Sequence, residues 1–235
     1  MPISLLFVEV NMSDLEKHKD TRIIANPNCT SIPIAVALKP IYDAVGISRV
    51  NIATYQSVSG AGKSGLEELS DQTLHLLTGQ SIKKPKTFPQ QIAFNVIPHI
   101  DDFQDNGYTR EEMKLVWEMQ KIFNDSTLAI NPTSVRVPVF YGHSAAVHVE
   151  TKKKITAEDA KKLLAKAPGV KLIEGKYPYP TPAKETAKGD LVYVGRVRED
   201  ISSEKGLNLW IVADNLRKGA ALNAVQIAEQ LLTLI

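Results

Sequence analysis

Only one of the 235 residues is a cysteine, Cys29. A single cysteine excludes an intrachain disulfide and a cysteine-rich metal site, so we expect no metal centre and a cytoplasmic protein. A lone cysteine is more often a small buried apolar residue than a nucleophile. The residues around Cys29 must therefore decide which of the two it is.

Long apolar runs and blocks of like charge are also missing. No apolar stretch reaches the roughly 20 residues of a membrane-spanning helix, and residues 1–8 lack the basic start and cleavage site of a signal peptide. The net charge is +2, and the basic residues 152–154 are soon followed by Glu158 and Asp159. The composition therefore predicts a globular protein with neither a nucleic-acid nor a membrane partner.

Helix and strand patterns alternate along the chain without an internal repeat. Helix patterns cover 30–45, 109–124, 156–165 and 218–234, and strand patterns cover 3–10, 22–25, 49–55, 135–141, 145–151, 170–174, 191–197 and 207–212. Pro40 is expected to kink or divide the first helix. The mixture of long connections and hairpin-like spacings predicts an α+β fold, a mixed β-sheet with helices packed on one face.

One glycine-rich segment imitates a nucleotide-binding motif. Gly60, Gly62 and Gly65 follow a predicted strand in the spacing G-x-G-x-x-G. That fingerprint also requires an acidic residue about 20 positions later, and residues 81–90 contain none. The segment is interpreted as a turn whose backbone can approach a ligand closely.

Cys29 lies where a predicted strand ends and a helix begins, in the tetrapeptide Asn-Pro-Asn-Cys. Backbone N–H groups and the helix dipole favour a thiolate at such a position, so a lowered pKa is expected for Cys29. Asn28 adds an amide donor beside it.

Five ordered segments of the sequence resemble the aspartate-semialdehyde dehydrogenase family. They are residues 24–29 with 36–40, 55–62, 111–114, 136–139 with Gly142 and His143, and 214–221. They follow the order and spacing of that family from about Glu9 to the end. The resemblance implies the fold of the C-terminal domain of aldehyde dehydrogenases of the glyceraldehyde-3-phosphate dehydrogenase type.

The resemblance also implies a role for each matching residue. Cys29 would be the nucleophile, His143 the general acid/base, and Gln56 the residue that orients the thioester. Asn28, Glu111, Lys114 and Arg136 would bind the substrate, with Glu111 on its ammonium, Lys114 on its phosphate and Arg136 on its α-carboxylate. Ser59, Gly60 and Asn215 would lie at the nicotinamide end of NADP.

Without the resemblance these residues have simpler interpretations. Glu111, Lys114 and Glu118 form a ladder typical of a solvated helix face, opposite an apolar face of Met113, Val116, Trp117 and Phe123. His143 could cap a turn, and Arg136 could be a surface arginine on an alternating strand. An unperturbed histidine pKa near neutrality would suit the acid/base role.

The resemblance implies NADP-dependent reductive dephosphorylation of aspartyl β-phosphate, on the route to diaminopimelate, lysine, threonine and methionine, by a homodimer. It further predicts three regions: a remnant of a nucleotide-binding domain (1–25), a catalytic and dimerisation domain (26–216), and a C-terminal helix (217–235) that would pack on the nucleotide-binding domain. The NADP site of this chain would then be incomplete, and the chain inactive or weakly active alone.

Two alternatives stay open on the sequence. An N-acetylglutamyl-phosphate reductase would have related segments, but usually has glycine where this chain has Asn28. A non-catalytic dimerisation module would keep the same residues but have an unactivated Cys29.

Overall fold

The structure is a computed structural model, which describes residues 4–5, 8–17, 22–185 and 189–233. Short 3₁₀ turns cover Met12–Lys17 and Val58–Ala61, and a π-helical turn covers Arg217–Ala221. The strands are β1 (Ser4–Leu5), β2 (Ile24–Ala25), β3 (Ile47–Gln56), β4 (Ala129–Arg136), β5 (His143–Thr151), β6 (Val170–Leu172), β7 (Val192–Glu199) and β8 (Gly206–Ala213). The α-helices are α1 (Ser31–Val45), α2 (Gly62–Leu77), α3 (Arg110–Ile122), α4 (Ala157–Lys166), α5 (Pro182–Glu185) and α6 (Leu222–Leu232).

A mixed sheet organises the described residues, in the strand order β4-β3-β5-β8-β7-β6. Strands β3 and β4 run parallel, with Gln56 beside Arg136, whereas β5 runs antiparallel to β3, with Ser144 beside Tyr55. The ends of β3 and β4 and the start of β5 therefore meet at one edge of the sheet. This topology brings Gln56, Arg136 and His143 together.

The core lies between one face of the sheet and helices α1, α3 and α4. Helix α1 is buried on most sides, with Ile32, Ile34, Leu38 and Ile41 at 1% exposure or less. Burying one such side chain contributes about 1.5–3 kcal/mol, so α1 is held by packing. No helix of the described residues is long and apolar enough to cross a membrane. The predicted α+β class, with helices on one face, is confirmed.

Several predicted element bounds are wrong. Helix α1 runs without a break through Pro40 and ends, as predicted, at Gly46, whose φ is 70°. The strand predicted over 135–141 lies instead at Ala129–Arg136. Val137 still donates to the Gln56 carbonyl oxygen at 3.0 Å, but the chain then turns, because the Val139 amide donates to the Val137 carbonyl oxygen at 2.8 Å. The helix predicted from Lys218 begins as a π-helical turn, and the strand predicted over 3–10 is Ser4–Leu5 within the described residues, with 3, 6 and 7 outside them.

Helix α3 begins with a capping box and buries a different face from the predicted apolar face. The Thr109 hydroxyl accepts from the Glu112 amide, and the Glu112 carboxylate accepts from the Thr109 amide at 2.7 Å. The other Glu112 oxygen accepts from the Ser134 amide at 2.8 Å, which joins α3 to β4. Leu115, Met119 and Ile122 are buried, whereas Trp117 of the predicted apolar face is 51% exposed. The face that carries Glu111 therefore points inward.

Candidate active site

The nucleophile segment is held in a tight turn just before α1. The Asn28 side-chain oxygen accepts from the Thr30 amide at 2.9 Å and from the Thr30 hydroxyl at 2.7 Å. Cys29 itself is partly exposed. A Cβ on Gly219 would lie 3.0 Å from the Cys29 carbonyl oxygen and 3.2 Å from the Cys29 Cβ, so the π-helical turn packs directly on Cys29. The turn that carries Cys29 is therefore held by the hydrogen bonds between Asn28 and Thr30 and by the packing of Gly219.

Glu111 links three of the predicted site residues. Its Oε2 accepts from Asn28 Nδ2 at 3.0 Å and lies 3.5 Å from Lys114 Nζ, and its Oε1 accepts from Gln56 Nε2 at 3.2 Å. Glu111 is only 5% exposed, so the solvated ladder is not what the structure contains. Lys114 Nζ also donates to Asp101 at 2.8 Å, at the more open side of the cluster.

Arg136 is buried at the end of β4 with 7% exposure. Its Nη1 donates to the Ser57 carbonyl oxygen at 2.8 Å, and its guanidinium lies 5.9 Å from the centre of the Phe88 ring. Both contacts fix a charged fork in a buried position, where a bidentate bond to a carboxylate is strong. The interpretation as a surface arginine is excluded by this burial.

His143 begins β5 and is 3% exposed. The Ser57 backbone N–H donates to its Nδ1 at 3.1 Å, so Nδ1 is an acceptor and the proton of the neutral ring is on Nε2. Nε2 is buried and has no hydrogen-bond partner among the described residues. Burial and the nearby charge of Arg136 lower the pKa of His143 to about 3. The sequence-based expectation of an unperturbed pKa is therefore wrong, and the site contains a neutral N–H donor.

Ser59, Gly60 and Asn215 line the same end of the sheet. Asn215 Oδ1 accepts from the hydroxyls of Ser57 (3.2 Å) and Ser59 (3.1 Å) and from the Gly142 amide (3.0 Å). A Cβ on Gly60 would lie 2.8 Å from Arg136 Nη1 and 3.3 Å from the His143 ring. A side chain at position 60 would therefore collide with the Arg136 guanidinium and crowd the His143 ring.

The charges around Cys29 are mostly negative. Burial raises the pKa of the Cys29 thiol to about 12, and the Glu111 carboxylate raises it further, against the lowering effect of Arg136. The lowered pKa expected from the helix N-terminus is therefore wrong for the site without substrate. Position alone could not reveal this, because the opposing carboxylates come from α3, more than 80 residues away.

All ten predicted site residues fall in one contiguous cluster, but the sequence-based interpretation omitted others. Ser57 orients His143, and Gly219 packs on Cys29. Asn26 donates to the Ala220 carbonyl oxygen at 3.2 Å, which ties the nucleophile segment to the C-terminal turn. Glu118 was assigned only to a solvated ladder, although its spacing of seven from Glu111 places both on one helix face.

Comparisons with known proteins show which proteins this chain resembles. Residues 38–218 match the family described as semialdehyde dehydrogenase, dimerisation domain. An aspartate-semialdehyde dehydrogenase from Shewanella violacea is 58% identical over 230 residues, which cover 98% of this chain and 68% of that protein. A crystal structure of aspartate semialdehyde dehydrogenase II from Vibrio cholerae, complexed with ASA, is 57% identical with a TM-score of 0.96, covering 98% of this chain and 68% of that one. An aspartate semialdehyde dehydrogenase with NADP from Candida albicans, 22% identical, shares the fold with a TM-score of 0.72 and covers 97% of this chain and 66% of that one.

Proposed function

Since this chain belongs to the aspartate-semialdehyde dehydrogenase family, an oxidoreductase family of amino-acid biosynthesis, we propose that Cys29 is its nucleophile in the reductive dephosphorylation of aspartyl β-phosphate. The observation that carries this proposal is the pairing of a buried carboxylate with a buried guanidinium beside one cysteine. Glu111 and Arg136 both act electrostatically on the Cys29 thiol. An amino acid presents an ammonium and an α-carboxylate, which this pair matches in sign.

Substrate binding would itself prepare the nucleophile. The substrate ammonium on Glu111 would neutralise the charge that most disfavours the thiolate, after burial. The α-carboxylate would bind Arg136, and Lys114 would bind the phosphate. The Cys29 proton would pass to solvent as the thiolate forms, and Sγ would then attack the β-acyl carbon, expel phosphate and leave a thioester.

His143 would act on the carbonyl oxygen of the substrate. Its Nε2–H is neutral, buried and without a partner among the described residues, as a donor to a developing oxyanion requires. The geometry supports a hydrogen-bond donor at Nε2 rather than a general acid/base, because the neutral ring keeps its Nε2 proton and Nδ1 already accepts from Ser57. Gln56, whose Nε2 donates to Glu111, would orient the acyl group beside Cys29.

The residues near Gly60 fit the nicotinamide end of NADP. Asn215 Oδ1 already accepts three hydrogen bonds, whereas no described residue accepts from Asn215 Nδ2, which would suit a carboxamide oxygen. The Ser59 hydroxyl donates to Asn215 Oδ1, and the next residue, Gly60, is exposed. When bound, NADPH supplies hydride that reduces the thioester to the semialdehyde and releases the Cys29 thiolate.

The first half-reaction tests the proposal without a cofactor. We expect that aspartyl β-phosphate gives one aspartyl thioester on Cys29 and one equivalent of phosphate, seen by intact mass, peptide mapping and a phosphate assay. Cys29→Ser is the blank. The matched control is succinyl phosphate, which lacks only the α-ammonium and should react more slowly. A folded chain with no adduct would contradict the proposal and favour a non-catalytic module.

An N-acetylated substrate tests the alternative that this chain is an N-acetylglutamyl-phosphate reductase. A substrate whose amine is acetylated has no positive charge for the buried Glu111 carboxylate. N-acetylaspartyl β-phosphate should therefore acylate Cys29 more slowly than aspartyl β-phosphate. Equal rates with the two compounds would contradict the proposed role of Glu111.

The family description also supports a homodimer as the state of this chain. We expect sedimentation equilibrium to give twice the 25.9 kDa mass of one chain. A mass of one chain at micromolar concentration would contradict the dimer.

A further inference from the structure

Glu118 lies on α3 two helical turns after Glu111 and is partly buried beside the nucleophile segment. Its Oε2 accepts a hydrogen bond from the Asn28 backbone N–H at 2.9 Å. Asn28 directly precedes Cys29 in the chain. The contact therefore joins helix α3 to the Asn28–Cys29 turn, across 90 residues of chain.

Two carboxylates of α3 hold the same residue of the turn. Glu118 takes the backbone N–H of Asn28, and Glu111 takes its side-chain Nδ2 at 3.0 Å. The remaining oxygen of the Asn28 side chain is used within the turn, on Thr30. The position of Cys29 therefore depends on α3, which is anchored to β4 through Glu112 and Ser134.

The same carboxylate also contributes charge. The charged groups that face the Cys29 thiol are Glu111 and Glu118 from α3 and Arg136 from β4. Glu118 in turn faces Glu111 and Lys114, and burial raises the pKa of its carboxyl. Glu111 and Glu118 therefore give the thiol two anionic neighbours, against one cationic neighbour, Arg136.

We propose that Glu118 is a positioning residue for the nucleophile, which fixes the Asn28–Cys29 turn through the Asn28 amide and places a second negative charge beside the thiol. The inference deepens the proposed function, on which it rests. The Glu118 side chain thus has two effects, a hydrogen bond to the turn and a negative charge beside the thiol. One substitution can remove the charge alone, and a second can remove the charge and the hydrogen bond together.

Glu118→Gln keeps an oxygen acceptor for the Asn28 amide but removes the charge, whereas Glu118→Ala removes both. Two readouts on the full chain report on them: amide hydrogen exchange of Asn28, and the pH dependence of Cys29 alkylation by iodoacetamide, an uncharged reagent. Glu67→Gln, an exposed change on α2, is the matched control. Cys29→Ser gives the alkylation blank.

We expect both Glu118 variants to move the Cys29 alkylation profile to lower pH, because loss of a negative neighbour favours the thiolate. Only Glu118→Ala should speed exchange of the Asn28 amide, roughly fivefold for the loss of one hydrogen bond. An unchanged alkylation profile in Glu118→Gln overturns the charge effect, and unchanged Asn28 exchange in Glu118→Ala overturns the positioning.

Failure of the proposed function would look different. Both readouts report on the Cys29 turn whether or not the thiol reacts with an acyl phosphate. If Glu118 behaves as expected but aspartyl β-phosphate leaves no adduct on Cys29, only the proposed function fails. If the adduct forms but neither readout responds to Glu118, only the positioning inference fails.

Discussion

Replacing Glu111 with glutamine is expected to change two rates at Cys29 in opposite directions. Acyl transfer from aspartyl β-phosphate should fall about 100-fold, because the substrate ammonium loses a buried anionic partner worth roughly 3 kcal/mol. Alkylation by iodoacetamide at pH 8 should become faster. The Glu111 charge is the largest influence after burial that raises the pKa of Cys29, and its removal favours the thiolate.

Both rates can be measured on one preparation. Phosphate release gives acyl transfer, and mass spectrometry gives alkylation, whose rate should rise about tenfold for each pH unit by which the thiol midpoint falls. Succinyl phosphate has no ammonium, so the Glu111→Gln variant should not lose acyl transfer from it. Glu67→Gln again serves as the exposed control.

A parallel loss of both rates would contradict this expectation, because it would mean that the substitution disturbs the turn rather than the charge. An equal loss of acyl-transfer rate with aspartyl β-phosphate and with succinyl phosphate would also contradict it. Glutamine keeps a side-chain oxygen that can accept from Asn28 or Gln56, so the network around position 111 is changed as little as possible.

Removing the His143 side chain should lower acyl transfer about 100-fold, the usual effect of losing one preorganised donor to an oxyanion. Because the pKa of His143 is lowered to about 3, the imidazole stays neutral from pH 5 to 8. The rate of the parent chain should therefore show no step near the ordinary histidine value of about 6.5. Instead it should rise with pH as Cys29 ionises.

Phosphate release measured from pH 5 to 9 checks this, with His143→Ala and His143→Gln compared. Glutamine retains an amide N–H, so His143→Gln should recover part of the rate that His143→Ala loses. A step near pH 6.5 in the parent chain that disappears in His143→Ala would show that the imidazolium form takes part. That result would overturn the role of a neutral donor.

Much of the fold and of the site could be predicted from short segments. The bounds of α1, the central part of β3, the capping box of α3 and the mixed sheet follow from patterns of neighbouring residues, whereas β3 extends beyond the predicted 49–55 at both ends. The site residues were predicted from the resemblance of five ordered segments to the family. Without it, residue type and spacing placed Glu111 on a solvated helix face and Arg136 on the surface of a strand. Which face of α3 points inward was missed, because amphipathic spacing does not say that a carboxylate will be buried against Asn28 and Gln56.

The sequence alone shows that one cysteine precedes a predicted helix, that no intrachain disulfide can form, and that the matching segments occur in the family's order. The electrostatics of that cysteine and of His143 depend instead on the folded structure. Burial raises one pKa to about 12 and lowers the other to about 3. Desolvation and Coulomb interactions depend on distances between side chains that are far apart in the chain, and these distances are fixed only when β3, β4, β5 and α3 meet at one edge of the sheet.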